Sequence, residues 1–327
     1  MRIGVVGPTG REEFAENTAD ALQRMGHLVT RLGPAQPSHR SRAAHNVAGL
    51  AWQALPRWDE RAQRRIARCA RDAACEVVIN IDLRLIPATV ARLKCDGAKV
   101  AFWYPDPVSH LARQLMVLAP YDALFFKEPH IVRIFRKNLG LPAHYLPEAC
   151  NPQWHRPAGS AGTEPCLVVA GTMYPVRLRL LERLLAKGIP LRVYGVGIPR
   201  WVGDSPVRTA LAGRYISREE KARVFRSAAG VLNTMHLGEV DGVNGRLFQA
   251  AGCGAAVLTE FRPALPELFD IGSEVLAYRD FDDLVDQASR LLGEPGLTAR
   301  LGDAAAQRAL RDHTYDARLA TILETVA

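Results

Sequence analysis

Apolar positions along the chain alternate between two periods. Residues 1–7, MRIGVVG, form a short apolar run closed by Gly7-Pro8-Thr9-Gly10, which predicts a strand feeding a tight turn. Phe14, Ala15, Thr18, Ala19, Leu22 and Met25 then recur at helical spacing until Gly26, and 27–30 predicts a second strand. Apolar runs at 76–81, 98–104 and 123–126, separated by helical patterns, complete the signature of a parallel sheet covered on both faces. The period is lost over 147–165, PEACNPQWHRPAGSAGTEP, whose Pro, Gly and Ser content predicts an interdomain linker. Alternation resumes with predicted strands at 166–170, 191–195, 230–234, 255–259 and 275–278. Helices are predicted near 176–187, 281–293 and 296–310, with a last one from about 314. The expected fold class is α/β: two Rossmann-like, doubly wound parallel-sheet domains facing a central cleft, with the first ending near 160 and the second spanning 161–310.

A length of 327 residues agrees, being too long for one compact core. A hydrophobic fraction of 48% with 23% charged residues excludes wholesale disorder. No run approaches the roughly 20 apolar residues that span a bilayer. The start of the chain reads as a strand rather than a secretory leader, and the six cysteines are scattered without a CxxC pair. A cytoplasmic location with reduced thiols is expected. The 36 Arg against 6 Lys suggest a GC-rich bacterial source.

Charge is unevenly spread. The net +8 belongs to residues 1–163, which hold 22 Lys and Arg against 14 Asp and Glu, whereas 164–327 hold 20 of each. Much of the excess lies between Arg40 and Arg71, where Arg57, Arg61, Arg64, Arg65, Arg68 and Arg71 share a helical face just after Trp52, Leu55 and Trp58. Three readings stay open: a solvated helix covering the first sheet, a weak contact with an anionic membrane surface through 52–71, or a lid over the acceptor. Nucleic acid is not an expected partner, because the aromatics do not interleave with the arginines and no nucleic-acid module is present.

In doubly wound sheets, ligands bind outside the carboxyl ends of strands, so glycine turns there are the first places to search. The turn at 7–10 is neither G-x-G-x-x-G nor a phosphate loop, and Gly195-Val196-Gly197 lacks a third glycine and runs into Pro199. Residues 233–259, NTMHLGEVDGVNGRLFQAAGCGAAVLT, carry more. A strand ends near Asn233 to His236, a glycine-punctuated loop follows, and a helix begins at Arg246. That helix start is expected to offer free amides and a positive dipole end to an anion, with Arg246 adding charge and Gln249 reaching sugar hydroxyls. A phosphate flanked by hydroxyls describes a nucleotide sugar. His, Cys and carboxylate spacing matches no metal motif, so no metal and no cofactor are expected.

This segment resembles the donor signature of GT-B glycosyltransferases, most nearly their CgeB-like, group-1-related branch, whose pattern N-x-R-x-F-E-A-x-x-x-G is met by Asn244, Arg246, Phe248, Ala250 and Gly254. Related families place two glutamates, seven residues apart, on donor sugar and ribose; Asp241 and Gln249 stand there, also with seven residues between. The neutral Gln249 is a departure from that pattern. Pro147 to Pro152, Gly171 with Arg177, Trp103-Tyr104-Pro105-Asp106-Pro107, and His313-Thr314-Tyr315 with Arg318 are similar to further stretches of the branch. The resemblance implies a metal-independent hexosyl-type glycosyltransferase, suggests retention of anomeric configuration, and implies a terminal helix over 311–327 crossing back to the first domain. It implies donor contacts at Gly171, Arg177, Tyr194, Gly195, Asn233, Asn244, Arg246 and Gln249, while their places after strands make Gly7, Thr9, Gly10 and His130 the expected acceptor contacts. Asp106, His236 and Asp241 are the expected catalytic groups, with the nucleotide sugar as co-substrate and a small molecule or glycan as acceptor. A sugar-nucleotide epimerase and a catalytically weak nucleotide-sugar-binding protein are the alternatives.

Each of these residues also has a plainer reading. Asp106, between two prolines, suits a turn. His236 suits a packed histidine, and His130 a helix start. Arg177 shares its helix with Arg179 and Arg183, any of which suits solvent, and Asn233 and Asn244 suit loop orientation.

Overall fold

The computed structural model of the chain describes residues 1–36, 56–107, 115–195, 197–199 and 201–327. They divide into two compact units, Met1–Pro147 with Tyr315–Ala327, and Glu148–Thr314. Each is a parallel sheet covered by helices on both faces.

The first unit contains β1 (Arg2–Val6), β2 (Leu28–Gly33), β3 (Val77–Asn80), β4 (Lys99–Tyr104), β5 (Ala123–Phe126) and β6 (Ala143–Tyr145), in the order β2-β1-β3-β4-β5-β6. All pairings are parallel, with Ile3 beside Val77 and Val77 beside Lys99. The continuous apolar runs that predict these strands arise because both faces are buried: every residue of β3 and β5 is buried. On one face Ile66, Val90, Phe102 and Phe126 form a core. On the other, Phe14, Trp103 and Tyr315 meet edge to face at ring separations of 4.5–5.7 Å. The terminal helix Tyr315–Val326 is thereby fixed to the first unit, and Arg24 pairs with Asp316 at 2.7 Å.

The basic helix, Pro56–Asp72, buries Ile66, Ala67 and Ala70 against the sheet. Arg65 donates to the Leu32 carbonyl at 2.8 Å, while Arg57, Arg61, Arg64, Arg68 and Trp58 are exposed. Arg40, Trp52 and Leu55 lie outside the described residues.

The second unit contains β7 (Glu164–Ala170), β8 (Leu191–Tyr194), β9 (Ala228–Asn233), β10 (Val257–Glu260) and β11 (Leu276–Tyr278), in the order β11-β10-β9-β7-β8. Alternate residues of a strand serve different cores: Val231 faces Phe248 and Phe225, and Leu232 faces Leu181 and Leu284. In each unit the order reverses once, between β1 and β3 and between β7 and β9. These are the topological switch points where such sheets open a crevice for ligand.

The stretch read as a linker over 147–165 is not an exposed tether throughout. Cys150, Asn151 and His155 are fully buried in the second unit. Burial of irregular backbone is affordable here because it bonds to itself: Asn151 N–H donates to His155 Nδ1 at 2.9 Å, and Gln153 N–H to Asn151 Oδ1 at 3.0 Å. Composition alone does not show such pairing.

One close helix contact in the second unit requires glycine. A Cβ at Gly302, within the helix Pro295–Asp312, would overlap the Gly254 carbonyl, whereas one at Gly296 meets only the Arg300 guanidinium at 3.7 Å. Gly302→Ala is therefore expected to lose about 1–3 kcal/mol in urea unfolding. Gly296→Ala should be neutral or gain up to about 1 kcal/mol.

Candidate functional site

At the switch point of the second unit, β7 ends in Gly171 and β9 is followed by Thr234. Gly171 sits at φ +130, its N–H donating to the Tyr194 carbonyl at 2.9 Å. Gly195 sits at φ +136, and a Cβ there would overlap the Gly171 carbonyl, so the ends of β7 and β8 approach as only glycine allows. The space a side chain at position 171 would fill is instead flanked by cations: a Cβ there would stand 3.1 Å from Arg177 Nη1 and 3.9 Å from Arg246 Nη2.

Arg177 lies in the first turn of the helix Pro175–Ala186, started by Pro175 at N1, and is only 8% exposed. Its Nε donates to Thr234 Oγ1 at 2.7 Å, Nη1 to the Thr172 carbonyl at 2.7 Å and Nη2 to the Thr234 carbonyl at 3.3 Å. The guanidinium stacks over Tyr174, whose hydroxyl donates to the Met235 carbonyl at 3.0 Å. Two of its five N–H groups are left, and no carboxylate pairs with it among the described residues. A buried cation held only by neutral oxygens is costly and is poised for an anion.

Arg246 and Gln249 share the helix Gly245–Gly252. The Gln249 amide oxygen accepts from Arg246 Nη1 at 2.7 Å and from the buried Lys221 Nζ at 3.2 Å. Arg177, Arg246 and Lys221 thus bring three positive charges to one end of a unit whose sequence half is neutral overall.

The start of this helix does not offer the free amides expected from sequence. Gly245 N–H donates to Glu148 Oε1 at 2.7 Å, Arg246 N–H to Asn244 Oδ1 at 3.1 Å, and Leu247 N–H to the Asn244 carbonyl at 3.2 Å. The helix dipole is already answered by a carboxylate, and a Cβ at Gly245 would overlap it. Asn244 is a cap, its amide also reaching the Thr234 carbonyl at 3.2 Å. Cationic side chains, not terminal amides, are what this end presents to a ligand.

His236 stands in the loop after β9, its Nδ1 accepting from Gly238 N–H at 3.0 Å and its ring edge-on to Tyr174 at 5.2 Å. A neutral ring so bonded carries its proton on Nε2. Its backbone N–H donates to Glu239 Oε2 at 2.6 Å, and the Asp241 carbonyl accepts from Ala264 N–H at 3.0 Å. Asn233 is 1% exposed and spends its amide on Thr259 Oγ1 at 3.1 Å, between β9 and β10. Tyr194 packs in the core, hydrogen-bonded through its side chain to Arg192, and meets the turn only through its carbonyl. Val196 lies outside the described residues.

At the switch point of the first unit is a cleft of about 480 Å³ whose lining includes Thr9, Glu13, Asp82, Arg84, Tyr104 and Asp106. Asp106 is exposed and hydrogen-bonded to the Tyr104 hydroxyl. Burial, then the nearby Asp106 and Asp82 carboxylates, push the Tyr104 phenol well above its usual range, so it stays protonated. Asp82 is a structural group, accepting from the N–H of Ala35 at 2.8 Å and of Arg84 at 3.0 Å. Thr9 and Asp106 therefore share a cleft. Gly7 instead gives room to Ala15, 2.9 Å from where its Cβ would be, and the Gly10 carbonyl accepts from Glu13 N–H at 3.1 Å. His130 is in the first turn of Pro129–Leu139, 3.3 Å from Glu128, and does not line that cleft.

Thr234, Tyr174, Lys221, Glu148 and Glu13 take part in these sites without having been singled out from sequence. Thr234 and Tyr174 adjoin chosen residues, and Glu148 lies in the 147–152 stretch. Lys221 is 28 positions from its partner Gln249, and no local pattern joins them.

Residues 177–324 match the family model of glycosyl transferase-like proteins. No curated protein matches the sequence. Among solved structures, the chain is similar to sucrose-phosphate synthase from Thermosynechococcus elongatus, at 13% identity and TM-score 0.70 over 99% of this chain and 97% of that one. It is similar to Anabaena HepE in complex with UDP, at 12% identity and TM-score 0.68 over 99% of both chains. It is also similar to AviGT4, a glycosyltransferase involved in avilamycin A biosynthesis, at 18% identity and TM-score 0.61 over 99% and 96%. The fold, two parallel-sheet α/β domains, is that of these GT-B neighbours.

Glu13 provides a test of the first cleft. Partial burial, then the Asp106 and Glu16 carboxylates, raise its pKa. A carboxyl raised in the folded state favours the protonated form, so its contribution to stability falls as pH rises from its unfolded pKa through the folded one. Asp106→Asn should lower the Glu13 midpoint in an NMR carboxyl titration and lessen that loss. An unmoved midpoint would separate the two residues.

Proposed function

We propose that this chain is a glycosyltransferase that moves a sugar from a nucleoside-diphosphate sugar to a hydroxyl of a small-molecule or glycan acceptor. The observation that carries this is the buried Arg177 guanidinium beside Arg246 over the Gly171 turn. Support comes from the family match, which spans Arg177, Asp241, Arg246 and Gln249. It also comes from the similar Anabaena HepE, whose structures hold UDP and UDP-glucose. The motif N-x-R-x-F supports assignment to the CgeB-like branch.

The donor binds in the second unit with its diphosphate over Gly171. When the bond between the sugar's anomeric carbon and the β-phosphate oxygen breaks, negative charge grows on that oxygen. Arg177, Arg246 and Lys221 stabilise it electrostatically, the part a metal plays elsewhere. Asp241 contacts the sugar, His236 stands near the reacting carbon, and Gln249 meets the ribose through its NH2, since its oxygen is engaged. The acceptor occupies the first unit's cleft, where Asp106 takes up the proton of the attacking hydroxyl. The Asp241 and Gln249 spacing supports retention of anomeric configuration, to be read from the product by NMR.

Calorimetry with UDP, GDP, TDP and ADP tests the proposal. At least one diphosphate should bind, without EDTA sensitivity, and Arg177→Ala should weaken it about 10- to 100-fold, the worth of a charged hydrogen bond. A folded protein that binds none of the four would overturn the reading. An isomerised nucleotide sugar formed without acceptor would replace transfer by epimerisation, and tight binding with neither transfer nor donor hydrolysis would leave a binding protein. In Gln249→Glu a carboxylate would meet both Arg246 and Lys221. Neutralising two of the three cations should weaken the preferred diphosphate about tenfold in the same assay.

A further inference from the structure

The second unit has another cleft, of about 560 Å³, at the β10–β11 edge of the sheet, between the helix Pro175–Ala186 and the start of the helix Phe281–Gly293. That volume suits a small organic ligand. One wall is apolar, formed by Pro175, Val176 and Leu180. The other holds donors. The Arg183 guanidinium lies 3.5 Å over the Phe281 ring, and that of Arg279 lies 3.5 Å over Phe261. Neither guanidinium has a carboxylate partner among the described residues. The third donor is Tyr278, only 5% exposed, whose hydroxyl lacks a hydrogen-bond partner among them. Burial and the Glu260 carboxylate push that phenol far up, so it remains a donor.

The carboxylates of the cleft do not answer these donors. Glu260 accepts from Arg262 at 2.9 Å and from Met235 N–H at 3.2 Å, and Asp280 caps its helix through Asp283 N–H at 2.9 Å. Arg179, more exposed, is paired with Glu182 at 3.2 Å. Stacking on an aromatic face fixes a guanidinium while its N–H edge stays open, which suits binding of an oxyanion. A buried hydroxyl with no acceptor costs stability unless a ligand supplies one. A planar carboxylate is satisfied by one guanidinium fork, whereas donors from three side chains match the three terminal oxygens of a phosphoryl group.

We propose that this cleft binds a phosphate monoester carried on a small ring or apolar body, with Arg183, Arg279 and Tyr278 on the phosphoryl oxygens and the body against Val176 and Leu180. The site goes beyond the donor reading, since it uses neither Arg177 nor Arg246. Calorimetry with phenyl phosphate tests it, on protein saturated with the preferred nucleoside diphosphate or, if none binds, without nucleotide. Binding is expected, weakened at least about fivefold in Arg183→Ala and in Arg279→Ala, and about threefold in Tyr278→Phe. Arg290→Ala, on the exposed side of the helix Phe281–Gly293, should leave it unchanged, and inorganic phosphate and benzoate should each bind more weakly. Circular dichroism establishes that each variant is folded. The proposal is overturned if folded wild type does not bind phenyl phosphate, if both arginine variants bind it as wild type does, if the nucleotide displaces it, or if benzoate binds as tightly.

Discussion

One buried cation organises the second unit. Arg177 is drawn under Thr234 and Thr172 by three hydrogen bonds and held against the face of Tyr174, and none of those partners carries charge. That ties the turn after β7, the first turn of the following helix and the loop after β9 into one assembly at the switch point. Gly171 and Gly195 stand at φ +130 and +136, and a Cβ would crowd the Arg177 guanidinium at the first and overlap the Gly171 carbonyl at the second. A protein that buries a guanidinium without a carboxylate forgoes stability there, and binding an anion recovers it.

The fold was largely legible in the sequence because both sheets are parallel and buried on both faces, which turns strands such as β3 and β5 into uninterrupted apolar runs. β6 escaped, being three residues with His144 at its centre. The burial of 150–155 escaped because it depends on an asparagine and a histidine four residues apart answering each other's backbone, which composition does not reveal. At the candidate site, the place of Arg177 after a glycine turn singles it out in the sequence, and the structure buries it there. The helix at Gly245 was misjudged for a definite reason. Its start has the form of an anion site, but Glu148, 97 positions earlier, supplies the anion from within the chain. Long-range pairs of this kind, like that of Lys221 with Gln249, are set by packing rather than by spacing.

The charge distribution also gains a location. The excess of positive charge in the first half of the sequence sits in part on exposed arginines of the helix Pro56–Asp72, whereas the first unit's cleft sets Glu13, Asp82 and Asp106 against Arg84. The second half is neutral in sum, yet it sets Arg177 and Arg246 beside one turn, with Lys221 joined to Arg246 through Gln249. Net charge therefore says little about where an anion binds; desolvated and oriented cations decide it.

The central claim is that a nucleotide's diphosphate rests over Gly171 between two guanidinium groups. A crystal soaked with the nucleoside diphosphate that binds in calorimetry tests it directly. The account predicts phosphoryl oxygens within hydrogen-bond reach of both Arg177 and Arg246, above the Gly171 turn. A nucleotide whose phosphates lie elsewhere on the chain, out of reach of Arg177, would contradict it.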